Sequence, residues 1–369
     1  MRGLVSSGLI VLMAATACSS QADPQPPPSV SQSATPQAPT TPPTVNQARV
    51  IATGLKSPWG LAFLPDGSAL VTLRDSGLIE RVVPSATASA QVTTVGQVPG
   101  VNHQAGGENG LLGIAVEPGP DPKAAYVYYS TAAENRIASM SWDGSRLGPP
   151  QTILSGIPAG PFHDGGRMVF GPDGYLYVGT GDARDSPSAQ RRSSLGGKIL
   201  RITTSGAAAP GNPFGDSPVW TLGHRNIQGL AFDAQQRLWA SEFGEKTHDE
   251  LNLITKGANY GWPKYEGKGN DPAYADPYVQ WPTAEASPSG LAIIGDWAYM
   301  AALRGKRLWQ VGIANPTPVG PFDLFVGKYG RLRTPAVAPD GSLWIVTSNT
   351  DGRANPSPGD DRIVAFTVT

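Results

Sequence analysis

The sequence predicts an all-β protein, a six-bladed β-propeller with four-stranded antiparallel blades. Three observations carry this: a phrase that recurs six times, a high content of turn residues (Gly 45, Pro 36), and no long stretch with a helical apolar period. The phrase reads WGLAFLPDGSALVT from Trp59, LLGIAVEPGPDPKAAYVYYS from Leu111 and RMVFGPDGYLYVGT from Arg167. It returns as QGLAFDAQQRLWAS from Gln228, SGLAIIGDWAYMAA from Ser289 and RTPAVAPDGSLWIVT from Arg333. Each copy is an apolar run, a Pro-Asp-Gly-like turn and a second run of aromatic and β-branched residues, the pattern of a β-hairpin. Equivalent apolar positions fall at Leu61, Ile114, Met168, Leu230, Leu291 and Pro335, a period of about 50 to 60 residues with room for a second strand pair per copy. Six such blades close a ring.

Ahead of the repeats the chain has a different character. Arg2 precedes an apolar stretch, Leu4 to Ala15, which ends in Ala15-Thr16-Ala17-Cys18. Residues 1–18 therefore read as a lipoprotein-type export signal, with Cys18 placed to receive lipid. Residues 19–45, rich in Pro, Ser, Thr and Gln, read as a disordered tether, and 46–369 as the propeller. The expected location is exported: anchored through Cys18 to the outer face of a bacterial cytoplasmic membrane, or periplasmic or extracellular. Cys18 is the only cysteine, so the propeller is expected to hold no disulfide and no thiolate chemistry. A formal net charge of -1 gives no reason to expect nucleic acid or another polyanion as partner.

The ring says where chemistry can collect. In a propeller the first strand of each blade lines the channel, and the segment before it shares one end with the loop after the second strand. Segments before first strands supply Glu108, His163, Arg225, Asn226, Arg331 and Arg333. Loops after second strands supply Arg74, Asp75, Gly181, Asp182, the run GEKTHDE from Gly244, Arg304, and NTDGR from Asn349. Several arginines, one histidine and a few acids thus converge on one funnel, a composition suited to a small anionic ligand.

Read with their neighbours, the funnel residues resemble a known family. FHDGGRMVFGPDGYLYVGTGD, LGHRNIQGLAF and DELNLITKGANYGWP, in this order, are similar to the soluble quinoprotein sugar dehydrogenases, grouped as glucose/sorbosone dehydrogenases. The resemblance covers the chain from about Ala48 to its end. It implies pyrroloquinoline quinone (PQQ) as cofactor with a calcium ion beside it, and oxidation of the C1 hydroxyl of aldose sugars to lactones, with an electron acceptor the sequence does not identify. Carried over by position, His163 would be the general base, and Arg225 with Asn226 would bind the quinone oxygens, Arg225 meeting the charge that develops there. Glu108 would stand beside quinone and substrate, and Arg304, Arg331 and Arg333 would hold carboxylates. Main-chain oxygens of Gly244 and Glu245 would ligate calcium, with Glu250 and Tyr260 as candidate ligands of a second, structural calcium. Three positions depart from the family's best-studied branch: Arg304 replaces Lys, Gly244-Glu245 replaces Gly-Pro, and Phe162 replaces an acid before the histidine. The identity of the sugar is therefore left open.

Taken residue by residue, plainer readings stand beside these. His163, before Gly165 and Gly166, also reads as a turn histidine, and Asp182 as a turn-forming acid. His224 reads as a structural partner beside the site, and His103 and His248 as loop residues. Of Arg331 and Arg333, only one need face the axis. Trp59, Trp239, Trp262 and Trp344 read as packing between blades. Two other functions also fit a six-bladed propeller: a non-catalytic extracytoplasmic binding protein, and a calcium-dependent lactonase or hydrolase, which would want a central cage of acids and amides.

Overall fold

Each of the six repeated phrases folds as the hairpin its pattern predicts. In the computed structural model, which describes residues 41–369, the first blade comprises β2 (Pro58–Phe63), β3 (Ala69–Leu73), β4 (Leu78–Val83) and β5 (Gln91–Gln97), after an N-terminal strand β1 (Val45–Ala52). The second holds β6 (Leu111–Val116), β7 (Ala124–Ser130), β8 (Asn135–Ser141) and β9 (Gln151–Ile157). The third holds β10 (Gly165–Phe170), β11 (Leu176–Thr180), β12 (Lys198–Ile202) and β13 (Val219–Leu222). The fourth follows with β14 (Ile227–Phe232), β15 (Leu238–Glu242), β16 (His248–Ile254) and β17 (Val279–Pro282). The fifth has β18 (Pro288–Ile294), β19 (Trp297–Ala302), β20 (Arg307–Gly312) and β21 (Val319–Leu324). β22 (Leu332–Val337), β23 (Leu343–Thr347) and β24 (Ile363–Val368) make three strands of the sixth, and β1 supplies its fourth by pairing antiparallel with β24. Joining the two ends of the described chain in one blade closes the ring. The export signal and most of the tether lie outside the described residues.

The register bears out the repeat. Leu61, Ile114, Met168, Leu230, Leu291 and Pro335 face Val71, Val127, Val178, Ala240, Met300 and Ile345, so all six occupy the same place in their hairpins. Just before each of them the pairing of the first strand shifts register, the local irregularity of a bulge. Close approach of the inner strands requires glycine there. A Cβ on Gly113 would lie 2.0 Å from the Gly166 carbonyl oxygen, and one on Gly229 2.5 Å from that of Ser289. The cores lie between blades: Leu70 and Ile79 of the first pack with Val127 and Met140 of the second, and Tyr299 of the fifth with Ile345 and Phe366 of the sixth. Because each blade face is covered by the next, the strand ends are fixed and can aim side chains into the funnel.

Candidate active site

His163 precedes β10, and Asp182 follows β11 of the same hairpin. Gly165 pairs with Thr180, so two steps outward on each strand bring these side chains together. Nδ1 of His163 lies 2.7 Å from Oδ1 of Asp182, which is only 1% exposed. Asp182 Oδ1 also accepts the Arg184 N–H at 2.8 Å, and its Oδ2 accepts Trp262 Nε1–H at 2.8 Å. Burial acts to raise the Asp182 carboxyl, but the hydrogen bond and charge of His163, with these two donors, outweigh it and hold the group below the usual carboxylate range. A carboxylate can only accept, so Nδ1 carries the imidazole proton and Nε2 is left as an acceptor. The turn that aims the ring is a strained one. His163 has φ of 63°, and its carbonyl is packed so tightly that a Cβ on Gly181 would lie 1.8 Å from it. Asp182 is thus a partner of the histidine as well as a turn former.

Glu108 braces this loop from the second blade. Its Oε2 accepts the His163 N–H at 3.0 Å and the Asn226 Nδ2–H at 3.2 Å, while Oε1 lies 3.3 Å from Nη1 of Arg353. Burial acts to raise this carboxyl; Arg353, the His163 N–H and more distant Arg333 outweigh it and keep it low. Asn226 is committed at both ends, since its Oδ1 accepts the Gly165 N–H at 3.0 Å. Glu108, His163 and Asn226 therefore form one hydrogen-bonded unit spanning three blades.

Arg225 differs from the other arginines. It is buried and its guanidinium lies 5.5 Å from the Trp262 ring centroid. One long contact, 3.4 Å from Nη1 to the Phe243 oxygen, accompanies a buried Nε with no hydrogen-bond partner. An unpartnered buried donor on a cation is costly unless something else accepts from it. Arg225, His163, Asp182, Phe162, Glu245 and Trp262 border one cavity of about 500 Å³. Trp262 is therefore a wall of this cavity, whereas Trp239 and Trp344 lie in the cores between blades and Trp59 packs with Leu112 and Met168.

The other expected arginines are placed differently. Arg331 and Arg333 are both buried and share one acid: Asp351 Oδ2 lies 2.9 Å from Arg331 Nη2 and 3.4 Å from Arg333 Nη2. Arg333 also donates to Gln228 Oε1 at 3.0 Å. A third axial arginine, Arg167, donates to the Gln228 carbonyl at 2.7 Å and lies 4.2 Å over Trp59. Burial lowers Arg167 and Arg333 to about 9, so both remain charged at neutral pH. Burial opposes ionisation of Asp351, but Arg333 and Arg331 hold it charged. Arg304 is exposed on the loop after β19 and does not border the cavity.

The segment from Gly244 to His248, between β15 and β16, forms another wall. Glu245 is exposed and borders the main cavity; Gly244 borders a small adjoining one of about 10 Å³, room for a single atom-sized occupant. Glu242, Glu250 and Tyr260 border that small cavity too. Glu250 is buried, and burial together with the nearby charge of Glu242 pushes its carboxyl well above the usual range. The Tyr260 hydroxyl is turned elsewhere, donating to the Leu253 carbonyl at 2.7 Å and accepting the Thr255 N–H at 2.9 Å. Tyr260 could therefore offer a cation only its main-chain oxygen. Among the described residues no three His, Cys, Asp or Glu side chains form a metal-binding group. His224 braces this wall, with Nδ1 2.8 Å from Glu242 Oε2 and Nε2 2.8 Å from Thr221 Oγ1.

The glucose/sorbosone dehydrogenase family model matches residues 55–355 of this chain. The PQQ-bound form of an aldose sugar dehydrogenase from Streptomyces coelicolor is similar to it at 50% identity and a TM-score of 0.85, covering 90% of this chain and 100% of that one. Aldose sugar dehydrogenase YliI of Escherichia coli is 30% identical, over 84% of this chain and 92% of that protein. Quinoprotein glucose dehydrogenase B of Acinetobacter calcoaceticus is 35% identical over 62% of this chain and 54% of that protein.

Proposed function

We propose, from the premise that this chain belongs to the glucose/sorbosone dehydrogenase family, that it is a PQQ- and calcium-dependent dehydrogenase that oxidises the C1 hydroxyl of aldoses to lactones. The observation that carries the reading is a histidine whose Nε2 is left as an acceptor, lining the same cavity as Arg225, whose guanidinium makes a single long hydrogen bond to the protein. The first can take a proton, and the second awaits an oxygen acceptor such as a quinone oxygen provides. Bound PQQ would accept the C1 hydrogen together with its electron pair, and a calcium ion beside it would add Lewis acidity.

The chain's own residues account for the rest. His163 Nε2 accepts the C1 hydroxyl proton while Asp182 stabilises the imidazolium that forms. Arg225 donates to an oxygen that gains charge during the reaction, and Glu108, with Asn226, keeps the His163 loop in place. Main-chain oxygens of Gly244 and Glu245 would hold the calcium, a donor type that suits a hard cation. Glu250, the Tyr260 carbonyl and the small cavity they border would suit a second cation. A binding propeller that had lost its chemistry would not need the aligned His163–Asp182 pair. A lactonase built on a central acid cage is at odds with an axis that holds Arg167, on the Gln228 carbonyl, and the pair Arg331 and Arg333 on one acid.

The test is a melting curve of the purified chain with PQQ, with calcium, with both and with neither. A native-state ligand raises the melting temperature in proportion to occupancy, so both together should raise it more than either alone. A curve unmoved by saturating PQQ and calcium would remove the cofactor assignment.

A further inference from the structure

One carboxylate holds the amides of residues 245–248, and Asp249 Oδ1 accepts that of Gly244 at 2.9 Å. Oε1 of Glu266 accepts the backbone N–H groups of Glu245, Lys246 and Thr247 at 2.6, 2.7 and 2.7 Å, and that of His248 at 3.2 Å. These are successive amides of an exposed loop, with no strand partner of their own until His248 enters β16. Four donors on one oxygen fix every peptide plane between Gly244 and His248. The packing there leaves no slack: a Cβ on Gly244 would lie 1.7 Å from the His248 carbonyl oxygen and 2.7 Å from Glu266 Oε1. The next residue, Gly267, is pinned in turn by its N–H on Glu250 Oε1 at 2.7 Å.

A trans peptide points its carbonyl opposite to its N–H. Turning the amides of Glu245 and Lys246 toward Glu266 therefore turns the carbonyls of Gly244 and Glu245 away from it. No cis bond falls in this segment, and the Lys246 carbonyl is seen to face elsewhere, 3.4 Å from Thr283 Oγ1. We infer that Glu266, which itself borders both cavities, is the positioning residue of the cation loop: by holding the amide hydrogens it fixes the directions in which the Gly244 and Glu245 oxygens are offered. This rests on the calcium reading above, and adds to it a residue that shapes the binding loop through its backbone. It also accounts for Glu245 standing where the related branch has a proline: with the amides fixed from outside, the loop needs no ring to stiffen it, whereas a proline at 245 would delete one of the four donors.

The experiment uses the full chain with Glu266→Ala and Glu266→Gln. Two quantities are read: hydrogen exchange at amides 245–248 without added calcium or PQQ, and the calcium concentration giving half of the PQQ-dependent rise in melting temperature. In Glu266→Ala the amides should exchange freely and the calcium midpoint should rise about 10- to 100-fold, the usual effect of losing a residue that orients metal ligands. Glu266→Gln keeps an acceptor oxygen and should stay near wild type in both. An unchanged midpoint in Glu266→Ala despite a loosened loop would overturn the inference while leaving the calcium reading intact. Equal loss in Glu266→Gln and Glu266→Ala would also overturn it, because charge, and hence direct ligation by Glu266, would then matter more than loop geometry. A wild type indifferent to calcium would sink the calcium reading itself and this inference with it.

Discussion

Replacing Asp182 by Asn should cripple turnover while sparing the cofactor. Three donors converge on this side chain: His163 Nδ1–H and the Arg184 N–H on Oδ1, and Trp262 Nε1–H on Oδ2. Aspartate satisfies all three, but asparagine has one oxygen. If that oxygen faces His163, the amide group meets the indole N–H, donor against donor. If it faces Trp262, the amide group meets His163 and forces the other tautomer, with the proton on Nε2 and no base left in the cavity. Either way the imidazolium loses a buried countercharge, and a hydrogen bond to a charged group is worth about 1.5–3 kcal/mol. At 1.36 kcal/mol per decade this alone is roughly a 10- to 150-fold loss. A share of molecules in the wrong tautomer brings the expected loss to about 10²- to 10³-fold, within the range for an impaired general base. Asp182 is 1% exposed and its part in the reaction is to hold and charge-balance His163, so KM should change far less than kcat. The assay is reduction of an artificial dye by an aldose at saturating PQQ and calcium, with PQQ affinity measured in parallel. Turnover within threefold of wild type at unchanged PQQ affinity would refute the role given to the pair.

Two further substitutions separate chemistry from structure. Arg225→Ala should lower the maximal rate about 10²- to 10³-fold at saturating PQQ and excess calcium, the usual loss of a donor that meets developing charge; full recovery of rate at higher PQQ would reduce Arg225 to a binding residue. Asp164, beside the base, is fully buried with Oδ1 bonded to Asn135 Nδ2 and the Gly160 N–H, and burial pushes its carboxyl up to about 7. The folded protein then keeps a proton that the unfolded chain sheds near 3.8, so between these values the native state binds more protons and stability falls as pH rises. The fall amounts to roughly 4 kcal/mol at most, spread between pH 4 and 7. Asp164→Asn keeps the Oδ1 acceptor and does not titrate, so its melting temperature relative to wild type should rise from pH 4 to pH 8. A constant difference across that range would contradict a buried, protonated Asp164.

The ring and half of the site could be read before any coordinates. The fold was legible because one hairpin pattern recurs in register, which fixes which strand lines the axis. It also located His163, Arg225, Asn226 and Glu108, since all four lie just before first strands. The partnership of His163 with Asp182 was within reach: both sit two residues outside the Gly165–Thr180 pair, and only the turn-former reading obscured it. Other contacts depend on ring closure. Arg353 meets Glu108 from 245 positions away, and Trp262 reaches Asp182 from 80 away, across a blade boundary. No local pattern encodes such distances. Arg331 and Arg333 were visible as axial cations, but their common acid, Asp351, lay unremarked within the NTDGR loop. Glu266 was missed because its partners are main-chain amides, which leave no trace in side-chain chemistry.

The central claim is that this funnel moves two electrons from a sugar to bound PQQ with His163 taking the proton. The most direct measurement is a single-turnover experiment: the chain is loaded with PQQ and calcium, mixed with an aldose without any dye, and the cofactor's absorbance is followed. The account predicts that one equivalent of a suitable aldose reduces the bound cofactor in the wild type, and that His163→Ala, loaded equally, does so about 10²- to 10⁴-fold more slowly. A loaded wild type that no aldose in a broad panel reduces, or a His163→Ala protein that reacts at the wild-type rate, would contradict it.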